Sequence, residues 1–132
     1  MIKQIKVSTS KRNQLIDITS QVSEIVEESR VASGSVRIFI PHTTAAVTIN
    51  EAADPSVRSD ITNYLEKLIP VNSGFAHMEG NSDAHIKSSL VGASEFLIIE
   101  NSRLMLGTWQ GIYFCEFDGP RSRRAIIKIN SD

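Results

Sequence analysis

The sequence predicts an α+β fold: a mainly antiparallel sheet, folded into a two-layer sandwich, with two or three helices. Three observations lead there. Short runs of β-branched or alternating residues recur seven or eight times. Two or three stretches switch to helical spacing. No regular strand–helix–strand alternation asks for a parallel sheet, so most strands are expected to be joined as hairpins.

Taken in order, residues 2–8 alternate, with Ile5 and Val7 on one side. Residues 10–13 read as a turn and 14–19 as a second strand, which predicts an opening hairpin. The spacing of Val22, Ile25 and Val26 then fits one helix face, with Thr19 or Ser20 as N-cap and Gly34 as the stop. Residues 35–40 are apolar enough for a central strand. Pro41 cannot donate to a ladder, so a bulge or bend is expected before a strand resumes over 45–50. Asp54-Pro55 opens the clearest helix, because Asp caps and Pro suits the first helical position. Val57, Ile61, Tyr64, Leu65 and Leu68 recur at helical spacing from there to Pro70. Residues 71–82 show no period, and a short helix capped by Ser82 or Asp83 runs to Leu90, ending at Gly92. Residues 95–100 read as a buried strand and Leu104 with Leu106 as a short one. Residues 112–118 and 125–130 form the last two strands, joined by the 119–124 turn.

Composition narrows the function classes. A chain of 132 residues with 41% hydrophobic and 22% charged residues is one ordinary globular domain, 1–132. A formal net charge of -1 gives no general attraction to nucleic acid or to an anionic membrane. No apolar run approaches the roughly 20 residues that cross a bilayer, and the first residues lack a signal peptide's apolar stretch. The single Cys115 cannot form an internal disulfide, so a cytoplasmic home is expected.

Chemistry concentrates in residues 77–89, which hold two histidines, two acids, an Asn, a Lys, three Ser and one Gly. Long polar loops are where sites tend to sit. The chain's three histidines, His42, His77 and His85, all fall in polar, non-periodic settings. Together with a carboxylate they suit a divalent metal such as zinc or magnesium. They also suit general acid–base work, or simply loop hydrogen bonding. Asn50, Glu51 and Asp54 follow a strand; an N-cap role accounts for Asp54, which leaves Glu51 as the favoured functional acid. Trp109 and Gln110, between Gly107 and Gly111, form either a bulged turn with the indole in a core or interface, or a wall on which a planar ring stacks while Gln110 reads its edge. The turn with Arg121, Arg123 and Arg124 is either an anion site or a solvated loop paired with Glu116 and Asp118. Cys115, inside an apolar strand, is expected to be a buried small hydrophobe rather than a nucleophile. No Ser-His-Asp triad, P-loop or Rossmann fingerprint is supported.

Three segments, PHTTAAVTINEAADPSVRSD (41–60), HMEGNSDAHIKSSLVG (77–92) and GTWQGIYFCEFDGPRSRR (107–124), resemble the YjbQ-like family, whose members carry the designation secondary thiamine-phosphate synthase. The resemblance spans almost the full length. It implies an α+β fold with a folded antiparallel sheet, a compact homotrimer, and polar pockets between subunits. Carried onto this chain, the motif residues are His42, Asn50, Glu51, Asp54, His77, Glu79, Asn81, His85, Lys87, Trp109, Gln110 and Arg121. The implied activity is that of a transferase joining a pyrimidine methyl pyrophosphate to a thiazole phosphate. On that reading His42, Glu51, His77 and His85 are catalytic, with the three histidines as metal ligands. Asn50, Asn81, Lys87, Trp109, Gln110, Arg121 and Arg123 would then bind a small phosphorylated metabolite. The competing expectations are a non-catalytic trimeric protein that binds a metal or a phosphometabolite in the same pocket, and a trimeric scaffold held together by its polar loops.

Overall fold

The computed structural model describes residues 1–132. Eight strands and three helices follow in the order β1 (Ile2–Ser8), β2 (Gln14–Asp17), α1 (Thr19–Ser29), β3 (Gly34–Phe39), β4 (Ala45–Glu51), α2 (Pro55–Leu68), α3 (Ser82–Val91), β5 (Ser94–Glu100), β6 (Arg103–Leu104), β7 (Gln110–Glu116) and β8 (Ser122–Ser131). They form two antiparallel sheets, one ordered β1-β8-β3-β5-β6 and the other β2-β7-β4. The α+β class and the folded antiparallel architecture are as expected.

Most strands are nevertheless not joined as hairpins. The opening pair β1 and β2 separates: β1 lies along β8 in the larger sheet, and β2 along β7 in the smaller one. The 119–124 turn likewise joins β7 and β8 across the two sheets rather than within one, and the break at Pro41 separates β3 from β4 in the same way. Alternation shows which face of a strand is buried but not which partner it takes.

The inward faces of the sheets and α1 enclose the main core of 18 buried residues, among them Val22, Ile25 and Val26 on the expected helix face. The opposite face of the smaller sheet carries a second cluster, Leu15, Ala46, Ala84, Tyr113, Cys115 and Phe117, covered by α2 and α3. The outer face of the larger sheet is uncovered. β5 therefore is not buried throughout: Leu97 and Ile99 point in, while Phe96 and Ile98 are half exposed. No helix is long and apolar enough to cross a membrane.

Local signals behave unevenly. Asp54 caps α2 as expected, accepting from the Ser56 N–H, and Pro55 opens the helix. The cap of α1 is instead Ile18, and the Asp17 carboxylate takes the Thr19 N–H. Gly34 does not stop that helix; Arg30 does, in the left-handed conformation. Gly34 begins β3, where a Cβ would run into the backbone carbonyl of Asn130 on β8.

Candidate functional site

Three connections cross between the sheets at one corner: residues 9–13, 40–44 and 117–121. They are stitched together by main-chain groups. The Thr9 N–H donates to Arg121 O at 2.9 Å, the Gly119 N–H to Arg12 O at 3.1 Å, and the Phe117 N–H to Thr44 O at 3.2 Å. Gly119 is required there, since a Cβ would collide with the carbonyl of Lys11. α3 closes the corner, its Ser88 hydroxyl donating to Thr43 O at 2.6 Å.

This corner holds a pocket of about 540 Å3 lined by residues 41–44, His77, Glu79, Asn81, His85, Asp118, Arg121 and Arg123. Apart from Pro41 every lining residue is polar. All three histidines of the chain meet here, although they lie far apart in sequence. The rings of His77 and His85 stand edge to face with centroids 5.6 Å apart, and His77 Nε2 lies 3.9 Å from a Glu79 carboxylate oxygen. His42 Nε2 accepts the Arg124 backbone N–H at 3.1 Å, which places the proton of the neutral ring on Nδ1. Burial, and then the charge of Arg123, hold the His42 pKa below its ordinary value of 6.5.

Beneath the histidines lies a layer of paired charges. Arg123 donates through Nε to Glu116 at 2.8 Å and through Nη2 to the Thr44 hydroxyl at 2.8 Å, and both partners of the ion pair are buried. Burial pushes the Glu116 carboxyl up, but hydrogen bonds from Arg123, Thr9 and the Asp118 N–H outweigh it and leave its pKa lowered. Asp118 gathers Arg121 Nη2 at 2.8 Å, the Asn81 amide at 2.9 Å and Arg12 Nη1 at 3.3 Å. Arg12 also donates to the fully buried Asp83 at 2.9 Å, and Asp83 receives Lys87 Nζ at 3.3 Å. The Arg121 guanidinium is thereby fixed in direction while its side chain remains half exposed at the pocket rim.

The expected site residues therefore divide. His42, His77, His85, Asn81, Arg121 and Arg123 come together, as do Thr43, Thr44 and Glu79. Lys87 does not line the pocket: it is 1% exposed, held by Asp83 and by Asn13 Oδ1 at 3.0 Å. Glu51 sits at the far end of β4, about 20 Å along the strand from the histidine corner. Its carboxylate accepts the Ala53 N–H at 2.9 Å. Asn50 faces the other side of the sheet, in an apolar cleft beside α2. Trp109 is 64% exposed, which rules out the core position. The Gln110 side chain closes the local turn, accepting from the Gly107 N–H at 2.8 Å. Within one chain the acid that approaches a histidine ring is Glu79, beside His77, while Asp118 lines the same pocket engaged with Arg12, Arg121 and Asn81. No three His, Cys, Asp or Glu side chains approach closely enough to hold one metal ion. Cys115 is buried, and burial pushes its thiol up to about 12. The cap of α3 is Asn81 rather than Ser82 or Asp83, and Asp83 lies in the first turn. Arg12 and Asp83, which anchor the pocket floor, were not singled out as site residues; a turn arginine and a first-turn aspartate carry no signal of a partner so distant in sequence.

Residues 3–132 match the family model described as UPF0047 protein YjbQ-like. A UPF0047 protein of Methanocaldococcus jannaschii is 54% identical over 132 residues, covering 100% of this chain and 96% of that protein. The UPF0047 protein YugU of Bacillus subtilis is 52% identical over 130 residues, with 98% of each chain covered. Among solved structures, an uncharacterised conserved protein of the YjbQ/UPF0047 family from Clostridium acetobutylicum superposes with a TM-score of 0.95 at 53% identity, covering 97% of this chain and 99% of that one. A protein of unknown function from Sulfolobus solfataricus gives a TM-score of 0.96 at 32% identity, with 100% and 97% covered. Sequence motifs, fold and near-complete coverage agree: the chain belongs to the YjbQ-like UPF0047 family.

Proposed function

We propose that the corner pocket is the active site of an enzyme acting on a small phosphorylated metabolite. The observation that carries this reading is the convergence of all three histidines with Arg121 and Arg123 in one pocket whose lining is polar apart from Pro41. Arg121, aimed by Asp118, serves as the anion fork. His42, neutral and with Nε2 already engaged, is a fixed Nδ1–H donor. His77, backed by Glu79, and His85 are the acid–base pair.

A coupling of a pyrimidine methyl pyrophosphate with a thiazole phosphate belongs to this class. The methylene C–O bond breaks, pyrophosphate leaves with the electron pair, and the thiazole nitrogen forms the new C–N bond. Arg121 and a protonated imidazole would stabilise the charge that develops on the leaving group. The residues of a single chain do not fit a three-ligand metal shell, and His42 Nε2 is already engaged by the Arg124 N–H.

Phe39, Phe96 and Ile98, exposed by 48–54% on the uncovered face of the larger sheet, support burial of that face in the homotrimer that the motifs imply. A trimer would also allow Glu51 and Trp109 of one subunit to approach the histidines of another. The lone buried cysteine fits a cytoplasmic protein. The neutralisation of Arg123 and Arg121 by their own carboxylates favours a second reading, a phosphometabolite-binding protein without turnover.

The test is pyrophosphate release from the pyrimidine substrate in the presence of the thiazole phosphate, with binding of both measured separately. H77A is expected to lower turnover by about 100-fold or more while binding persists; R121A is expected to weaken binding. Binding without turnover in the wild type selects the second reading, and neither binding nor turnover rejects both.

A further inference from the structure

A second cleft, of about 310 Å3, lies between α2 and the 10–14 turn and shares no lining residue with the histidine pocket. Its central residue is Arg58. The guanidinium lies over the Tyr113 ring at 4.9 Å and donates through Nη2 to the phenol oxygen at 3.4 Å. Tyr113 is itself buried and anchored, its hydroxyl donating to Glu51 O at 3.0 Å. The aromatic platform therefore orients the fork without neutralising it, and Arg58 has no carboxylate partner. Its Nε is buried without any acceptor.

Arg12, Arg121 and Arg123 at the histidine corner are each met by a carboxylate. The remaining lining repeats the contrast. Lys11 forms no ion pair. Asn13 has its Oδ1 committed to Lys87, which leaves its Nδ2 as a donor on the cleft wall. Ser59 and Asn63 add a hydroxyl and an amide from α2. One acid, Glu66, is present, and it pairs with neither cation. A stacked arginine, a free lysine and several neutral donors around a small open volume form the donor set that receives a tetrahedral oxyanion.

We propose that this cleft is a second anion site, which takes a phosphate or phosphomonoester group independently of the histidine pocket. Arg58 is the fork, Lys11 the second charge and Asn13 the neutral donor, with Glu66 setting a limit on affinity.

The test is a titration of the full chain with inorganic phosphate, followed by backbone amide resonances. The amides of Ser59, Thr62 and Asn63 report on this cleft; those of Thr43, Thr44 and His85 report on the histidine pocket. Saturable shifts are expected at the α2 amides. R58A should weaken them by about tenfold or more, while R121A leaves them unchanged. E66Q should tighten binding at the same amides and nowhere else, and it does so with the Arg58 platform intact. Shifts confined to the histidine pocket, α2 shifts that are the same in R58A and wild type, or no shift at either place would overturn the proposal. Failure of the histidine pocket alone leaves the α2 readout in place, so the two sites are judged separately.

Discussion

α2 and α3 cover the same face of the smaller sheet, yet they are attached by opposite means. α2 has the stronger helical signals: an Asp cap, Pro at the first position, and apolar residues at regular spacing. It nevertheless buries no residue; Tyr64 and Leu68 are more than half exposed, and only Ile61 and Leu65 rest against the second core cluster. α3 has no coherent apolar face, yet it buries Asp83, Ala84, Lys87 and Ser88. Its inward side is held by ion pairs and by the Ser88 bond to Thr43. The difference teaches that the pattern predicting a helix and the contacts fixing it in place are separate quantities. At the histidine corner the helix is fixed by buried polar groups, each of which requires its partner.

The sharpest way to break this contrast is Asp83→Asn. Lys87 is 1% exposed and would be left with an amide in place of a carboxylate, while Arg12 would lose one of its two acids. Removing one member of a buried pair costs about 3–5 kcal/mol. Chemical unfolding of the variant is expected to show a loss in that range. The double change Asp83→Leu with Lys87→Met is expected to recover the part due to Lys87, because both charges of that pair leave together while Arg12 keeps Asp118. A small loss for D83N alone would mean that water or backbone groups already solvate the ammonium.

The same contrast explains what the sequence disclosed. Elements whose cause is local were legible: the cap at Asp54, the period of α2, the alternation of Ile5 and Val7, the apolar face of α1. Strand partnership was not, because β1 and β2 alternate equally well whether they pair with each other or with β8 and β7. At the site, the histidines and arginines stood out by residue type, and the structure brings them together. Glu51 also stood out by type, but β4 carries it away from them. Lys87 looked like a ligand group, since a lysine in a polar segment gives no sign that Asp83, one helical turn earlier, and Asn13 will bury it. Arg12 and Asp118 act through a contact between residues more than a hundred positions apart, which no local pattern encodes.

On α2 the expected effect is smaller. Leu65 packs on the second cluster from a half-buried position, so Leu65→Ala removes only part of the apolar contact of a full core leucine. A loss of about 1–2 kcal/mol is expected, against the larger loss for D83N, with both read from the same unfolding curves. An L65A loss equal to that of D83N would show that α2 is held as firmly as α3, and the contrast would collapse.

The smallest expected effect is a separation of the two regions by pH. His42, at the histidine corner, has its folded pKa lowered from 6.5 by burial and by Arg123. Between the folded and unfolded pKa values the unfolded chain binds more protons, so stability falls as pH drops below about 6.5 and levels off once the folded ring also protonates. Asp54, at the start of α2, has its pKa lowered from 3.8 by hydrogen bonds from the Ser56 hydroxyl and N–H. Its contribution is present above 3.8 and is lost as pH falls further through the folded value. Melting temperatures of wild type, His42→Gln and Asp54→Ala, followed from pH 7 downward, should therefore diverge in two windows. The wild-type decline just below pH 6.5 should flatten in H42Q and persist in D54A, while the decline below pH 3.8 should respond only to D54A. An unchanged upper decline in H42Q would place that proton uptake elsewhere in the chain and remove the case for a neutral His42 donor in the pocket.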